Sequence, residues 1–484
     1  MAGSIEQLKN KTVFGIIWSL VSSFGTLAIT FLSNIILARL LTPDDFGCIG
    51  ILAVFVALAG ILIDGGLGVA LIQKKNPTSL DYSTVYTFNL VLSLFFYAVI
   101  FVIAPFIADF YNIPILKSIL RVQGIILLIN PFRIVQYNIL IKTLRFKKLA
   151  EYEIASALIG TTVGILMAFN NFGVWSLVFA NIINSLVFTV TINCVRGHWH
   201  SRIQFNLIAF KSLFSFGGLI LLSNMIDTLY NNINNIIIGK MFSATQLGYF
   251  TQADKLKTIP VNSVSKAING VFFPVFSEFQ DDRKRLGHIL RQNIVTLSYL
   301  SFPIMTALII TASPLINFIY SDKWNNSVPF FELLCFTGMI FPINMLNLNI
   351  IKSLGKGGKY LIMQICQLVL GVSAVGIGAA WGIMGLTIGF VFSAYMYFVF
   401  ISMINYRVVG VGLFSQLFAI VGNVLLSFVW GGILYSIKNN ITTGIMLLDI
   451  IFPVLIYLSG YIITSYLFKM NGFNNILAIV RNHK

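Results

Sequence analysis

Long apolar segments recur along almost the whole chain, and they constrain its fold more than any other feature of the sequence. A helix that crosses a membrane needs about 20 predominantly apolar residues, because the hydrocarbon layer is about 30 Å thick. Segments of this length, separated by charged residues or by Pro, Gly and Asn, lie near residues 13–37, 46–72, 83–108, 118–141, 153–170, 174–195, 212–238, 246–275, 288–312, 328–351, 360–379, 383–405, 414–436 and 445–468. We therefore predict an all-α integral membrane protein with about 14 transmembrane helices.

The composition excludes a soluble protein and a large extramembrane domain. Hydrophobic residues make up 57% of the 484 residues and charged residues only 10%, whereas a soluble domain carries about 25% charged residues. The predicted spans leave only short connections between them. All four cysteines, Cys48, Cys194, Cys335 and Cys366, lie in or beside apolar segments, so we expect free thiols rather than disulfides.

The excess of basic residues gives the predicted topology. The net charge is +16, from 32 Lys and Arg against 16 Asp and Glu. With the amino terminus placed in the cytoplasm, most basic residues fall in cytoplasmic connections, and those on the other side are Arg39, Lys117, Lys240, Lys323 and Lys438. Cytoplasmic connections carry an excess of Lys and Arg. We therefore predict that both termini are cytoplasmic, and we expect no nucleic-acid partner.

The two halves of the chain resemble each other. Residues 34–47 match residues 235–248 at an offset of 201. Two further matches follow in the same order, residues 142–145 with 352–355 and residues 172–177 with 381–386. Each copy holds an even number of spans, so both copies have the same orientation, which is a parallel repeat. We predict two six-helix lobes, residues 1–205 and 206–410, followed by two appended helices and a cytoplasmic tail in residues 411–484.

Polar residues form a stripe on the first predicted span and on its repeat counterpart, the seventh. Thr26 and Thr30 lie on one helical face of the first span, and the matching positions of the seventh include Asn224, Asp227 and Asn231. Hydrogen bonding between helices explains such stripes in many membrane proteins. Cavity lining is the alternative that we favour, because the second copy is more polar than packing requires.

The eighth predicted span is the most polar. Lys255, Asn262 and Lys266 recur along it, and Asp254 and Lys257 lie three residues apart, where they could pair. A lysine that faces lipid without compensation costs about 2.5–3.5 kcal/mol. This helix is therefore expected to line water or protein.

Four ionisable residues are placed near the bilayer centre or in its inner half: Asp64, Arg133, Asp227 and Lys266. A basic interior favours an anionic substrate, because a fixed positive charge attracts phosphate and repels cations. The two acids have two interpretations, which are a structural role beside a basic neighbour and a role as proton or sodium sites.

Sequence motifs for ATP use, metal binding and covalent catalysis are missing. The glycine-rich residues 355–359 lack the spacing and the hydroxyl of a phosphate-binding loop. His198 and His200 lie in a basic loop with no acid or cysteine nearby. We therefore expect no cofactor, no metal and no enzymatic activity, while proton or sodium coupling stays open.

Several stretches of the sequence resemble a known family. These are Leu37-Ala-Arg-Leu-Leu-Thr-Pro-Asp-Asp-Phe-Gly47, Asp64-Gly-Gly-Leu-Gly-Val-Ala-Leu-Ile-Gln73, Ile236-Ile-Ile-Gly-Lys240, Leu247-Gly-Tyr-Phe250 and Phe273-Pro-Val-Phe-Ser277. They are similar to signature stretches of bacterial polysaccharide-export flippases, the O-antigen, colanic acid and teichuronic acid exporters of the multidrug/oligosaccharidyl-lipid/polysaccharide superfamily. The resemblance covers essentially the whole chain.

The resemblance implies two six-helix lobes around a central cavity and two extra helices at the carboxyl terminus. It also implies movement of an undecaprenyl-diphosphate-linked oligosaccharide from the cytoplasmic to the periplasmic leaflet of the bacterial inner membrane, by alternating access. The expected partners are the lipid-linked oligosaccharide, membrane lipids, and the polymerase and chain-length proteins of polysaccharide synthesis. Where many relatives carry an acid before the Ile-Ile-Gly of the seventh span, this chain has Asn235.

These considerations give a set of candidate site residues. We expect three cations to contact the anionic group of the substrate and five polar side chains to contact its sugars, with two acids in coupling or structural roles. In that order they are Arg133, Lys255 and Lys266, then Asn224, Asn231, Asn262, Thr26 and Thr30, then Asp64 and Asp227.

Two other functions remain open from the sequence. The first is a cation-coupled multidrug exporter on the same scaffold, which would use Asp64 and Asp227 as ion sites. The second is a membrane glycan polymerase or ligase, which would be expected to place a sizeable loop outside the membrane, and no such loop is found.

Overall fold

A computed structural model describes residues 2–194, 199, 202–437 and 445–482, and within these ranges all regular structure is helical. The helices are α1 (Ala2–Leu40), α2 (Pro43–Asp64), α3 (Leu67–Gln73), α4 (Ser79–Tyr111), α5 (Ile115–Gln123), α6 (Ile125–Ile129), α7 (Pro131–Lys142), α8 (Phe146–Phe169), α9 (Val174–Asn193), α10 (Leu207–Met241), α11 (Ala244–Glu278), α12 (Arg283–Ile310), α13 (Ala312–Tyr320), α14 (Val328–Ser353), α15 (Gly357–Ala379), α16 (Gly382–Val409), α17 (Leu413–Ile437), α18 (Met446–Leu467) and α19 (Asn471–Asn482). A 3-10 helix, Asp322–Ser327, precedes α14. His198, His200 and Lys438 lie outside the described residues.

The prediction of an all-α, multi-pass membrane protein is confirmed. In the described part of the chain, 12 helices are long and apolar enough to cross a membrane. The number is 13 if Ile115–Ile129 and Pro131–Lys142, which meet at a bend of 45°, form one span. All the predicted segments fall on helices, and α11 is the one that is not among the helices counted over the described residues. Its lysines and aspartate make it more polar than the other spans.

Local sequence signals fix the starts of α2 and α4. The backbone N of Thr42 donates to Asp45 Oδ2 at 2.9 Å while the Asp45 backbone N donates to Thr42 Oγ1 at 3.4 Å, a reciprocal capping box before α2. Thr78 and Asp81 form the same box before α4. Asp81 also accepts a hydrogen bond from Lys74 Nζ at 2.8 Å, so the connection between α3 and α4 is held at both ends.

The described helices form two compact units, Met1–Gly248 and Tyr249–Lys484. In the first unit, α8 packs against α1 and α9, and α10 packs against α2, α3 and α4. In the second unit, α16 packs against α14 and α15, and α12 packs against α14, α17 and α19. The boundaries predicted from the repeat, near residues 205 and 410, stay predictions.

Within the first unit, the starts of α2 and α11 touch backbone to backbone. A Cβ atom on Gly47 would lie 1.8 Å from the carbonyl O of Ala244, and a Cβ atom on Gly248 would lie 1.9 Å from the carbonyl O of Pro43. Real Cβ atoms do not approach other atoms so closely, so both positions need glycine. By the predicted topology this contact lies at the outer end of the spans, and we name it the outer contact.

A second close approach lies at the other end of α2. A Cβ atom on Gly66 would lie 2.1 Å from the carbonyl O of Gly217 in α10, and Gly66 itself has a φ of +70° that favours glycine. By the predicted topology this contact lies at the inner end of the spans, and we name it the inner contact. Both contacts are made at once in the first unit.

Candidate functional site

A cavity of about 600 Å³ lies inside the first unit, among helices that are expected to cross the membrane. It is lined from α1, α2, α3, α7, α8 and α9. The polar lining residues are Thr26, Thr30, Asp64, Arg133, Tyr137, Asn138, Glu153, Ser156 and Asn184. Four of the predicted site residues, Thr26, Thr30, Asp64 and Arg133, are therefore brought together although they are far apart in the sequence.

Arg133 is positioned by the bend in the broken helix. Pro131 begins α7 after the 45° bend, and it lacks the N–H that a continuous helix would need at this point. Arg133, half-buried in the first turn of α7, has its Cζ 5.4 Å from the ring centre of Phe188. A guanidinium over an aromatic face is attracted by the ring electrons and keeps its N–H donors at the edge. It is therefore the cationic group that this cavity offers to a ligand.

Glu153 is a site residue that the sequence analysis missed. It is half-buried in α8, close enough to Arg133 to attract it, and its Oε2 accepts a hydrogen bond from Ser22 Oγ of α1. The cavity therefore holds two carboxylates, Asp64 and Glu153, beside one guanidinium. The interior of this unit is mixed in charge, whereas the sequence predicted a basic one.

Asp64 has a visible structural role. It ends α2, and its carboxylate accepts hydrogen bonds from the backbone N–H groups of Gly66 and Gly68 at the start of α3. A Cβ atom on Gly68 would lie 2.9 Å from both Asp64 Oδ1 and Asn138 Nδ2, so glycine leaves room for these side chains above it. Asp64 thus stabilises the turn between α2 and α3, by satisfying N–H groups that a helix start leaves free.

The two threonines of α1 present acceptors to the cavity. Thr26 Oγ1 donates to the Ser22 carbonyl and Thr30 Oγ1 donates to the Thr26 carbonyl, each at 2.7 Å. A hydroxyl has one hydrogen to donate and two lone pairs. Both threonines therefore keep lone pairs that can accept hydrogen bonds from a ligand's hydroxyl groups.

The remaining predicted site residues lie elsewhere, and their roles stay predictions. On α10, Asn224 and Asn231 are exposed and Asp227 is half-buried. In the second unit, Lys255 and Asn262 of α11 are exposed, while the side chain of Lys266 lies outside the described residues. The predicted pairing of Asp254 with Lys257 is confirmed, with Lys257 Nζ 2.7 Å from Asp254 Oδ1.

Comparisons with known proteins show the family. Residues 36–329, more than half of the chain, match the family model described as polysaccharide biosynthesis protein. The lipopolysaccharide biosynthesis protein WzxC of Escherichia coli (strain K12) is 23% identical over 389 residues, which are 79% of this chain and 78% of the relative. The succinoglycan biosynthesis transport protein ExoT of Rhizobium meliloti is 26% identical over 368 residues, 75% of this chain and 74% of the relative. The teichuronic acid biosynthesis protein TuaB of Bacillus subtilis is 26% identical over 357 residues, 73% of each chain.

Solved structures show the same fold. The lipid II flippase MurJ in an inward closed conformation superposes with a TM-score of 0.74 at 15% identity, covering 94% of this chain and 98% of the other. An inward-facing multidrug resistance transporter of the MATE family gives a TM-score of 0.62 at 18% identity, covering 81% and 98%. From the match over residues 36–329 and these relatives, the chain belongs to the polysaccharide biosynthesis protein family, among the polysaccharide exporters of the multidrug/oligosaccharidyl-lipid/polysaccharide superfamily.

Proposed function

We propose that this protein moves an undecaprenyl-diphosphate-linked oligosaccharide from the cytoplasmic to the periplasmic leaflet of the bacterial inner membrane. The transport serves the synthesis of a surface polysaccharide, as the names of WzxC, ExoT and TuaB suggest for those relatives. One observation carries the proposal: Arg133 lies in a polar cavity of about 600 Å³ within the membrane-spanning helices. Both termini face the cytoplasm in this proposal.

Arg133 binds the diphosphate. A guanidinium pairs with phosphate through two parallel N–H donors, and this pairing is stronger in a site of low polarity than in water. The contact of Arg133 with the ring of Phe188 orients the guanidinium before the ligand arrives. The exposed Lys255 of α11 and Lys266 are proposed as further contacts of the anionic group.

The sugars are held by the polar lining. Hydroxyl groups of a sugar donate to the free lone pairs of Thr26 and Thr30 and to the carboxylate of Glu153, and Asn184 can both donate and accept. Asn224 and Asn231 of α10 and Asn262 of α11 are proposed to add further amide contacts. Such a lining binds several sugars through different subsets of the same groups.

Alternating access requires contacts that open in turn. The outer contact at Gly47 and the inner contact at Gly66 lie at the two ends of α2. We propose that release of the inner contact admits the substrate from the cytoplasmic leaflet and that release of the outer contact delivers it to the periplasmic leaflet.

Energy for transport is proposed to come from a proton or sodium gradient rather than from a bound cofactor. Glu153 and Asp64 in the cavity, and Asp227 on α10, are the acids proposed to bind the ion. The protein is proposed to act without catalysing a reaction and to deliver its substrate to the polymerase and chain-length proteins.

Substitution of Arg133 tests the proposal. Arg133→Ala removes the charge, so surface polysaccharide should fall at least about tenfold, and the lipid-linked oligosaccharide should accumulate in the inner leaflet. Arg133→Lys should retain part of the export, because it keeps the charge but loses the paired donors. Lys148→Ala, at an exposed cation of α8, is the matched control.

The amount of each variant in the membrane must be measured, so that a loss of export can be distinguished from a loss of the protein. Normal polysaccharide output from a well-inserted Arg133→Ala variant would contradict the proposal.

The two carboxylates beside Arg133 also suit a cation-coupled drug exporter. Drug sensitivity after deletion of the gene, with polysaccharide unchanged, would favour that second function.

A further inference from the structure

A second cavity, of about 420 Å³, lies in the second unit between α12, α17 and the start of α19. It shares no lining residue with the Arg133 cavity, and no residue predicted to contact the substrate lines it. We name it the basic cleft, after His288 and Arg291 in its lining.

Two basic side chains point to an anionic ligand. His288 and Arg291 are three residues apart in α12, so they lie on the same helical face, and both are exposed. Neither side chain makes a hydrogen bond or ion pair with another residue in the described part of the chain, and no carboxylate lines the cleft. Their donors are therefore available to a ligand.

The start of α19 adds backbone donors at the same place. Asn471 and Gly472 form its first turn and line the cleft, and the N–H groups of a first turn have no acceptor within the helix. The position of α19 is fixed on α12, because Asn475 Nδ2 donates to Thr296 Oγ1 at 3.1 Å and Phe473 packs 6.4 Å from the ring of Tyr299. The amide groups are thus held beside Arg291 and His288.

Apolar groups form the rest of the lining. Phe418 of α17 is 75% exposed, and Val295 and Met470 lie beside it in the cleft. A free phosphate ion gains no binding free energy from contact with apolar side chains. A phospholipid has both a charged head and apolar chains, so it can use both parts of the lining. The lining is therefore complementary to an amphipathic anion.

The position along the helices agrees with the lipid surface. α12 begins with the basic residues Arg283, Lys284 and Arg285, directly before this cleft, at the end predicted to be cytoplasmic. Anionic lipids of the cytoplasmic leaflet attract basic groups at this depth. α19 carries charged and polar residues on one side and apolar residues on the other, as helices that lie in this interface do.

We propose that the basic cleft binds one anionic glycerophospholipid of the cytoplasmic leaflet. Arg291, His288 and the first-turn amides of α19 surround the phosphate, and Phe418 lies against the upper part of the acyl chains. The site joins α12 to the appended helix α17 and to α19 of the tail, so lipid binding stabilises the attachment of the carboxyl-terminal segment.

Native mass spectrometry of the purified full-length protein, with phosphatidylglycerol or phosphatidylcholine added, tests this site. The wild type should retain one phosphatidylglycerol at concentrations where phosphatidylcholine is lost. Arg291→Gln should weaken phosphatidylglycerol binding about fivefold, the share of one arginine near an anionic surface. The control Arg407→Gln, at an exposed arginine in the last turn of α16, should bind as the wild type does.

Three results would overturn the proposal. They are equal retention of the two lipids, unchanged phosphatidylglycerol binding in Arg291→Gln, and displacement of the lipid by millimolar inorganic phosphate, which would show a free-phosphate site. Phe418→Ser further distinguishes a lipid phosphate from a free phosphate ion, because it should weaken binding of the lipid and leave any binding of inorganic phosphate unchanged. Arg291 and Phe418 are both exposed, so neither substitution disturbs a packed core.

Discussion

Thr245 Oγ1 donates a hydrogen bond of 2.6 Å to Asp44 Oδ1, and these two residues occupy the same position in the two copies of the internal repeat, 201 residues apart. The neighbouring contacts are equally reciprocal, with Gly47 against Ala244 and Gly248 against Pro43. In each of these contacts a residue of one matching stretch lies against a residue of the other. The outer contact is therefore made by the same short motif twice.

Alanine at Gly47 should open the outer contact. The added Cβ atom would lie 1.8 Å from the Ala244 carbonyl O, so the two backbones must separate. Overpacking of this kind costs about 1–3 kcal/mol, which shifts the population toward the outward-open form about tenfold. A cysteine placed at the cavity residue Thr30 should then react faster with an impermeant thiol reagent added from the periplasmic side.

The control for this experiment is Gly60→Ala in the same helix, because no atom lies within 4 Å of the Cβ position there. The four native thiols, Cys48, Cys194, Cys335 and Cys366, must first be replaced. Gly248→Ala should reproduce the effect of Gly47→Ala. If both variants label as the Gly60→Ala control does, the outer contact is not a gate.

Alanine at Gly217 should have the opposite effect. Its Cβ atom would lie 3.0 Å from the Gly66 carbonyl O, so the inner contact loosens while the outer one is untouched. Labelling of the cysteine at position 30 should rise from the cytoplasmic side, measured in inside-out vesicles. Gly218→Ala meets only an ordinary contact at 3.4 Å and serves as control. Greater labelling from the periplasmic side would contradict the assignment of the two ends.

Glutamine at Glu153 should uncouple export from the ion gradient. The substitution keeps the hydrogen bond with Ser22 within reach but removes the charge beside Arg133. Export should fall, and the remaining export should no longer respond when the proton or sodium gradient is collapsed. Glu151→Gln is a close control, since Glu151 lies two residues away and pairs with Lys147 at the surface. A normal response to the gradient in Glu153→Gln would exclude Glu153 as an ion site.

Much of the fold follows from the sequence because it depends on local properties. Apolar length predicts the spans, and the match of residues 34–47 with 235–248 predicts equivalent helix starts, although not that they touch. The spacing of Asp254 and Lys257 predicts their pairing, which is confirmed at 2.7 Å. The bend between α6 and α7 has a local signal too, in Pro131 at the start of α7.

The site is less predictable because it depends on contacts between distant segments. Glu153 and Ser22 are 131 residues apart, and Glu153 lies at the predicted start of the fifth span, so the sequence does not place it inside the bundle. A signal was present in the buried face of α8, where Ser156, Ala157 and Gly160 follow Glu153 at helical spacing. A carboxylate that continues a face of small residues indicates a polar group inside the bundle.

Removal of the Asn347 side chain should destabilise the second unit. Asn347 of α14 donates to Gln416 Oε1 of α17 at 2.9 Å, and its own Oδ1 accepts from Asn405 Nδ2 of α16 at 2.7 Å and from Gln416 Nε2 at 3.0 Å. All three side chains are fully buried. Asn347→Ala leaves both partners without these bonds, at a cost of about 2 kcal/mol, and should lower the thermal unfolding midpoint in detergent.

The exposed Asn326, in the 3-10 helix before α14, provides the comparison, and Asn326→Ala should change stability by less than about 0.5 kcal/mol. A double-mutant cycle of Asn347→Ala with Gln416→Ala isolates the bond between the two amides. Because Gln416 belongs to the first of the two appended helices, a positive coupling would show that this buried amide cluster attaches α17 to α14 and α16. Additive effects of the two substitutions would instead show that the bond between Asn347 and Gln416 does not help to hold α17 in place.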